Sequence, residues 1–524
     1  MITLDGLNSM ADVTRQQAKL RPHDIALVFE ERETSFAQLD RYASQVANGL
    51  ILWGVKPQTR VGYLGKNSDL YFEMTMGAYK ANAVVVGVNW RLAGPEVEYV
   101  VNDARCEVLF VGAEFYGLIE KCLPNMPTVR HVVAMDGGHA QWESFSAWRD
   151  RQSERDPMLA IKPEDTAIQL YTSGTTGHPK GVELTNDNYM AVFESLASDP
   201  NSGLNWNPKD VALVCMPVFH VAGVNIGVLS VAQGAKGIIL KDIDPGKILD
   251  LIGRYKVNHA FFVPAVILFL TQHPAAKTTD FGSLRNISYG ASPIAEELLV
   301  RAKEIFGCRF SQLFGLTETS GAGTWLAPED HEPTRKKLRS CGKPLPGLEL
   351  RIVDGQGRDV PKGEVGEIVL RGRTIMKGYW NKADATAKAI VNGWFHTGDA
   401  GYTDDEGFVF IHDRVKDMIV SGGENIYPAE VENAIFGHPA VADVAVIGVP
   451  DDKWGEAVKA MVVLKPGAQA DGAEIINWAR ERIAGYKLPK SVDFIQALPR
   501  NPSGKILRRE LREPFWRGKE RRVN

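Results

Sequence analysis

Tyr171 to Val182 reads Tyr-Thr-Ser-Gly-Thr-Thr-Gly-His-Pro-Lys-Gly-Val. Six consecutive small or hydroxylated residues, Thr172 to Gly177, cannot pack a core, but they can wrap phosphate oxygens. Gly174 and Gly177 let the backbone approach closely, Ser173, Thr175 and Thr176 add hydroxyl donors, and Lys180 adds a positive charge. The pattern is not a Walker A loop, which needs Gly-Lys-Ser/Thr in direct succession, because His178 and Pro179 separate Gly177 from Lys180. Pro179 also argues against the helix that such a loop would open. The competing reading is a flexible linker, opposed by apolar Ala167, Ile168 and Leu170, which lead straight into the segment as a buried strand would.

Four further places carry groups with chemical use. Glu318 stands among hydroxyls in Gln312-Leu313-Phe314-Gly315-Leu316-Thr317-Glu318-Thr319, where it suits a magnesium ion bridging phosphates or, equally, a helix cap. Asp399, after Thr397 and Gly398, can accept two ribose hydroxyls or cap a turn. His220 ends an apolar strand, a position usually taken by a satisfied core histidine. Lys505, in Pro499-Arg500-Asn501-Pro502-Ser503-Gly504-Lys505-Ile506, reads by itself as solvated surface.

The elements that must position these residues form an α/β pattern up to about residue 165. Strand-like Ile25 to Phe29, Val61 to Leu64, Ala83 to Val88 and Val108 to Val111 alternate with helix-like Ser35 to Leu50, Asp69 to Asn82 and a helix opened by Gly94-Pro95. The strand Ile287 to Gly290 ends in small residues, Ala291-Ser292-Pro293, a place for a flat ring, and a helix from Ile294 to Phe306 follows. Short strands between Gly342 and Leu370 indicate a small β structure. The charged run Asp413-Arg414-Val415-Lys416-Asp417 is the best domain boundary, with about one hundred residues of α+β structure beyond it. Val211 to Ala235 carries no charge, yet Pro217, His220, Gly223, Asn225, Gly227 and Gln233 interrupt it, so a buried strand, turn and helix are expected in place of a membrane span. With 524 residues, two or more domains are expected. A net charge of -4 gives no nucleic-acid signal, and five scattered cysteines without a Cys-x-x-Cys pair fit a reducing cytoplasm better than a disulfide or zinc framework. The N-terminus, Met-Ile-Thr-Leu-Asp, lacks the pattern of a signal peptide.

Taken in order, the segments 171 to 182, Phe314 to Glu318, Thr397 to Asp399, Asp413 to Glu432 and Pro499 to Lys505 resemble the motif set of the adenylate-forming superfamily. That superfamily contains acyl-CoA synthetases, peptide-synthetase adenylation domains and beetle luciferases. The resemblance covers nearly the whole chain. It implies a large N-terminal domain, residues 1–413, of two α/β subdomains and a small β-barrel, a hinge at 414–416 about Lys416, and a smaller, mobile α+β lid, 417–524. The implied reaction has two halves: a carboxylate attacks the α-phosphate of ATP to give an acyl-adenylate and pyrophosphate, then a thiol displaces AMP.

By that resemblance Thr172 to Gly177 and Lys180 hold the β- and γ-phosphates, and Thr317 and Glu318 contact the α-phosphate and Mg2+. Tyr289, Gly290, Ala291 and Gln312 belong to the adenine pocket, Asp399 with Arg414 to the ribose, and Phe314 and Gly315 count among the cofactor-binding residues. Lys505 matches the catalytic lysine, Gly423 the passage of the pantetheine arm, and His220 an aromatic gate at its inner end. Trp454, Tyr486 and Lys490 match positions that hold the CoA nucleotide in some relatives, while Leu488 stands where such relatives can have arginine. The basic residues of the tail, Arg508 to Arg522, are expected to be solvated, with weak contact to an anionic membrane surface as the alternative.

Nineteen residues follow Lys505, too few for an appended carrier domain, so coenzyme A is the expected thiol. The lid sequence Val420 to Pro428 is similar to fatty-acyl and aryl CoA ligases, and the overall likeness is to bacterial fatty-acyl-CoA synthetases. The stretches Val221 to Ser230 and Gly321 to Leu326, beside the implied acid pocket, hold no charged residue, so a second carboxylate would lie unpartnered and neutral acyl tails are expected. The expected activity is therefore a fatty acid-CoA ligase, with an aryl acid-CoA ligase or a freestanding enzyme loading a carrier protein as alternatives.

Overall fold

The computed structural model describes residues 4–172, 179–198, 203–414, 417–421, 424–451, 454–500 and 506–517. The chain forms a large N-terminal domain, holding three sheets, and a smaller C-terminal one. The mixed α/β architecture is the one expected.

Continuous apolar runs become the central strands of two large sheets, because helices cover both faces of a parallel sheet. One has eight strands and carries Arg60–Leu64, Val84–Gly87, Val108–Val111 and Thr166–Thr172. The other has nine and carries Ile25–Phe29, Val211–Val214, His259–Phe262, Asn286–Gly290 and Arg309–Phe314. Both end antiparallel: Lys180–Thr185 returns beside Thr166–Thr172, and Thr324–Leu326 beside Arg309–Phe314.

The helix over Phe36–Leu52 starts where the sequence supplies a reciprocal cap, Ser35 and Gln38 bonding each other's backbone amides, which stabilises such an end by about 1 kcal/mol. The uncharged segment after Val211 folds as strand Val211–Val214, a turn, and helix Val221–Ala232. That helix lies flush on its neighbours: a Cβ at Gly227 would fall 2.1 Å from the Phe72 ring, and one at Gly223 would strike the Pro217 carbonyl. Its opposite face is thereby left to line a cavity. Among the described residues no helix is long and apolar enough to cross a membrane.

Leu348–Val353, Gly366–Gly372, Trp394–Thr403 and Val409–Arg414 make an antiparallel third sheet, the small β unit anticipated after Gly342. Beyond residue 417, Val441–Asp451 and Gly455–Leu464 pair along their length, and helices Pro428–Phe436 and Gly472–Arg480 cover them around a separate apolar core of Ile419, Val431, Val446 and Ile475.

Candidate active site

The glycine-rich segment is the connection of a β-hairpin: Thr172 and Lys180 are paired across its two strands. Ser173, Gly174, Thr175, Thr176 and Gly177 lie outside the described residues, but both stems are tied to the helix Gly94–Ala104. Tyr171 donates its hydroxyl to Asp103 Oδ2 at 2.7 Å, and Tyr99 donates to the Pro179 carbonyl at 3.2 Å. Lys382 Nζ holds the other oxygen of Asp103 at 3.0 Å, so this carboxylate fixes the loop's entry without being spent on a ligand. Burial, with Asp103 beside it, raises the Tyr171 pKa and keeps the phenol a donor.

Glu318 belongs to a single tight turn, Thr317–Thr319, whose exit residues Ser320 and Gly321 both have positive φ. Its side chain is 8% exposed. Oε1 accepts from Tyr379 Oη at 2.9 Å and from Thr172 Oγ1 at 3.4 Å, which brings Glu318 and Thr172 to one place. Tyr379 escapes sequence reasoning. It gets there because Gly378–Tyr379 pairs as an edge strand with Glu183 and Val182, and its ring also faces the Lys180 ammonium at 4.6 Å. The sequence signal is the aromatic pair Tyr379-Trp380 following Gly378.

A cavity of about 480 Å³ opens beside this turn, walled by Ala291, Gln312, Phe314, Gly315 and Asp399 from the large domain and by Ala429 and Asn433 from the small one. Gln312 Oε1 is buried and has no hydrogen-bond partner among the described residues, an acceptor ready for an amine such as that of adenine. Asp399 is 6% exposed and stands opposite Arg414 in the strand register. The backbone amide of Asp399 donates to Thr397 Oγ1 at 3.0 Å, and Gly398 has φ +69. The side chain of Arg414 lies outside the described residues. Tyr289 is fully buried with its hydroxyl 3.1 Å from His331 Nε2, and it does not line this cavity. Gly290 packs against the Leu313 carbonyl, where a Cβ would come within 2.1 Å. Of Tyr289, Gly290 and Ala291, Ala291, at φ +69, reaches the cavity, followed by Ser292, Pro293 and Ile294.

A second cavity, about 120 Å³, shares Ala291, Leu313 and Gly315 with the first. Val192, Phe193, Ile226 and Leu229 line it, with no charged side chain and with Asn225 and Tyr189 as its polar groups beside Ser320. His220 immediately precedes the helix that forms one wall. Its Nε2 is buried without a hydrogen-bond partner among the described residues, and its ring lies 4.4 Å from Phe219. Burial first, and the Arg91 charge second, lower its pKa from 6.5 to about 4. The unfolded chain therefore binds a proton near pH 6.5 that the folded one refuses until about pH 4. This residue's share of stability is present above pH 6.5 and drains away as pH falls to about 4. His220→Phe is expected to remove that acid sensitivity, narrowing the loss of unfolding free energy between these pH values by about 3 kcal/mol. Urea unfolding of both proteins at the two pH values checks it, and an unchanged difference refutes it.

The structure does not bring every expected residue to this place. Trp454 and Tyr486 are exposed on the small domain, with Lys490 Nζ 6.0 Å from the Trp454 ring. Lys416, Gly423 and Lys505 lie outside the described residues. The five cysteines are free, and among the described residues no group of three His, Cys, Asp or Glu could hold a metal ion by itself.

A cavity that carries Gln312 and Asp399 thus shares wall residues with an uncharged one, close to the turn of a buried glutamate, an arrangement that suits joining a nucleotide to an apolar molecule. The sequence pattern of the AMP-binding enzyme matches residues 14–380, and that of the AMP-binding enzyme C-terminal domain matches 430–505. The chain belongs to this family, the adenylate-forming enzymes, and is an AMP-forming acid-thiol ligase. It is 40% identical over 519 residues to a fatty acid--[acyl-carrier-protein] ligase, ScoC, of Streptomyces coeruleorubidus, covering 99% of this chain and 98% of the relative. It is 36% identical to a long-chain-fatty-acid--CoA ligase, FadD13, of Mycobacterium tuberculosis, covering 96% and 97%. The crystal structure of an anthranilate CoA ligase, AuaEII, with anthranoyl-AMP superposes with a TM-score of 0.90 at 29% identity, covering 97% and 98%.

Proposed function

We propose that this ligase activates a neutral, mainly apolar carboxylic acid, a medium- or long-chain fatty acid, and passes the acyl group to coenzyme A in the cytoplasm. The observation that carries this reading is the uncharged cavity that shares Ala291, Leu313 and Gly315 as a common wall with the larger cavity. A carboxylate at that junction reaches the α-phosphate while its tail stays in apolar surroundings, and a second carboxylate in the tail would be stranded there. In this reading residues 1–413 bind ATP and the acid, 414–416 form the hinge, and 417–524 move as the lid.

The first half forms a bond between a carboxylate oxygen and the α-phosphorus, and the bond to the bridging oxygen breaks, pyrophosphate leaving with the electron pair. Thr172 to Lys180 hold the leaving group, Gln312 and Phe314 receive the base, and Asp399 with Arg414 the ribose. A magnesium ion held by Glu318 together with phosphate oxygens would neutralise charge there, a mode that suits this ion because it takes few protein ligands. In the second half the thiol sulfur attacks the acyl carbon, AMP leaves with the electron pair, and the thiol proton is released. His220, neutral above its depressed pKa, caps the helix that walls the acid cavity, where an uncharged gate would admit the pantetheine arm. Gly423 flanks the arm's path, while Trp454, Tyr486 and Lys490 meet the CoA nucleotide.

A second reading, transfer to a carrier protein, is favoured by the 40% identity to ScoC, whose name gives an acyl-carrier protein as acceptor. Pyrophosphate release over a panel of straight-chain, arylpropenoic and benzoic acids tests the first half, and thioester formation with CoA against a holo-carrier tests the second. Release with saturated fatty acids and thioester with CoA are expected. Release confined to aryl acids overturns the fatty-acid assignment, and thioester only on the carrier overturns CoA.

A further inference from the structure

The apolar cavity is mechanically joined to the phosphate side. Ser320 and Gly321 line it, and they are also the exit of the tight turn that carries Glu318. Asn225, on the cavity wall, commits both ends of its amide. Nδ2 donates to the Ser320 carbonyl at 2.9 Å, and Oδ1 accepts from the hydroxyl of Tyr189 at 3.1 Å. There is little slack between helix and turn: a Cβ at Gly321 would stand 3.2 Å from Asn225 Nδ2 and 3.3 Å from Val221. On its other side the turn is tied to the segment entering Tyr379. Ser320 Oγ donates to the Thr374 carbonyl at 2.8 Å, and the Met376 amide donates to the Glu318 carbonyl at 2.8 Å. The Glu318 carboxylate then meets Tyr379 and Thr172.

We infer that Asn225 is a positioning residue through which an acyl chain in the apolar cavity tightens the binding of ATP. The inference rests on the proposed function. A chain packed against Asn225, Ser320 and Gly321 makes those contacts only when the turn sits in its hydrogen-bonded place. Glu318 reaches Thr172 and Tyr379 from that same place, so both ligands favour one arrangement. Each then strengthens the other by an equal factor, as linkage requires.

The test is calorimetric titration of magnesium and α,β-methylene-ATP, which cannot be cleaved to an adenylate, with and without a saturating acid. The acid is one that supports pyrophosphate release by the wild-type enzyme with ATP. Wild type is expected to bind the analogue about tenfold tighter with acid present. Asn225→Ala is expected to bring that ratio to within about twofold of one, with the acid-free Kd little changed. Asn225→Leu, with the same branching and number of side-chain heavy atoms, keeps the test open if alanine unfolds the wall. Tyr189→Phe, which spares the bond to Ser320, is expected to retain most of the ratio. A purely structural role would weaken acid-free binding and leave the ratio alone. A wild-type ratio of one, or a full ratio in folded Asn225 variants, overturns the inference while the function stands. Absence of pyrophosphate release with every acid overturns the function, and the inference with it.

Discussion

Lys505→Ala is expected to slow adenylate formation by at least about tenfold, a barrier increase of about 1.4 kcal/mol or more, while thioester formation from presynthesised adenylate is largely spared. The first half brings a carboxylate against a polyphosphate, so an ammonium placed between them lowers the energy of the point of attack more than that of separated reactants. No such meeting of anions occurs when a thiol attacks the finished adenylate. The framework around residue 505 supports this assignment. Arg500 and Ile506 pair as an antiparallel bridge, and the Leu507 amide donates to the Pro499 carbonyl at 2.8 Å, closing the base of the segment that carries Lys505. Arg500, Ile506 and Arg508 line a groove with Ser292, Pro293 and Ile294, and those three also line the larger cavity, the one proposed for the nucleotide. Single-turnover pyrophosphate release measures one half and transfer from supplied adenylate the other; equal losses in both would refute the role.

What was legible in the sequence is what local chemistry dictates. Ile25–Phe29 and Val108–Val111 read correctly because an apolar run between polar turns has few alternatives, and the helix expected over Ser35 to Leu50 forms as Phe36–Leu52, where Ser35 and Gln38 cap its start. The turn that carries Glu318 was legible as hydroxyls around one carboxylate, yet its partner Tyr379 was not: an edge-strand pairing with Val182 places that phenol, and such pairing leaves no periodic trace. Tyr289 shows the converse. Its strand lies beside the nucleotide cavity, but side chains alternate across a sheet, and the ring went to the face that meets His331. Asn225 was legible only as a break in an uncharged run, since its use depends on what stands opposite it.

Glu318→Gln is expected to lower the adenylation rate by about a hundredfold and to raise the magnesium concentration needed for half-maximal rate. Glutamine keeps the shape and an acceptor for Tyr379, so the tight turn and the bonds from Met376 and Ser320 stay in place. What it removes is one negative charge in a site where water is scarce, at a side chain 8% exposed, and that charge is the group able to hold the metal against the phosphates. Tyr379→Phe provides the contrast. It leaves the charge and deletes one hydrogen bond, so a loss of about 1 kcal/mol, less than about tenfold in rate, is expected, with the magnesium requirement nearly unchanged. The pair therefore separates the charge of Glu318 from its placement. Equal rate losses in the two variants would place the effect in the geometry of the turn, and a glutamine variant with the wild-type magnesium requirement would remove the metal from Glu318 altogether.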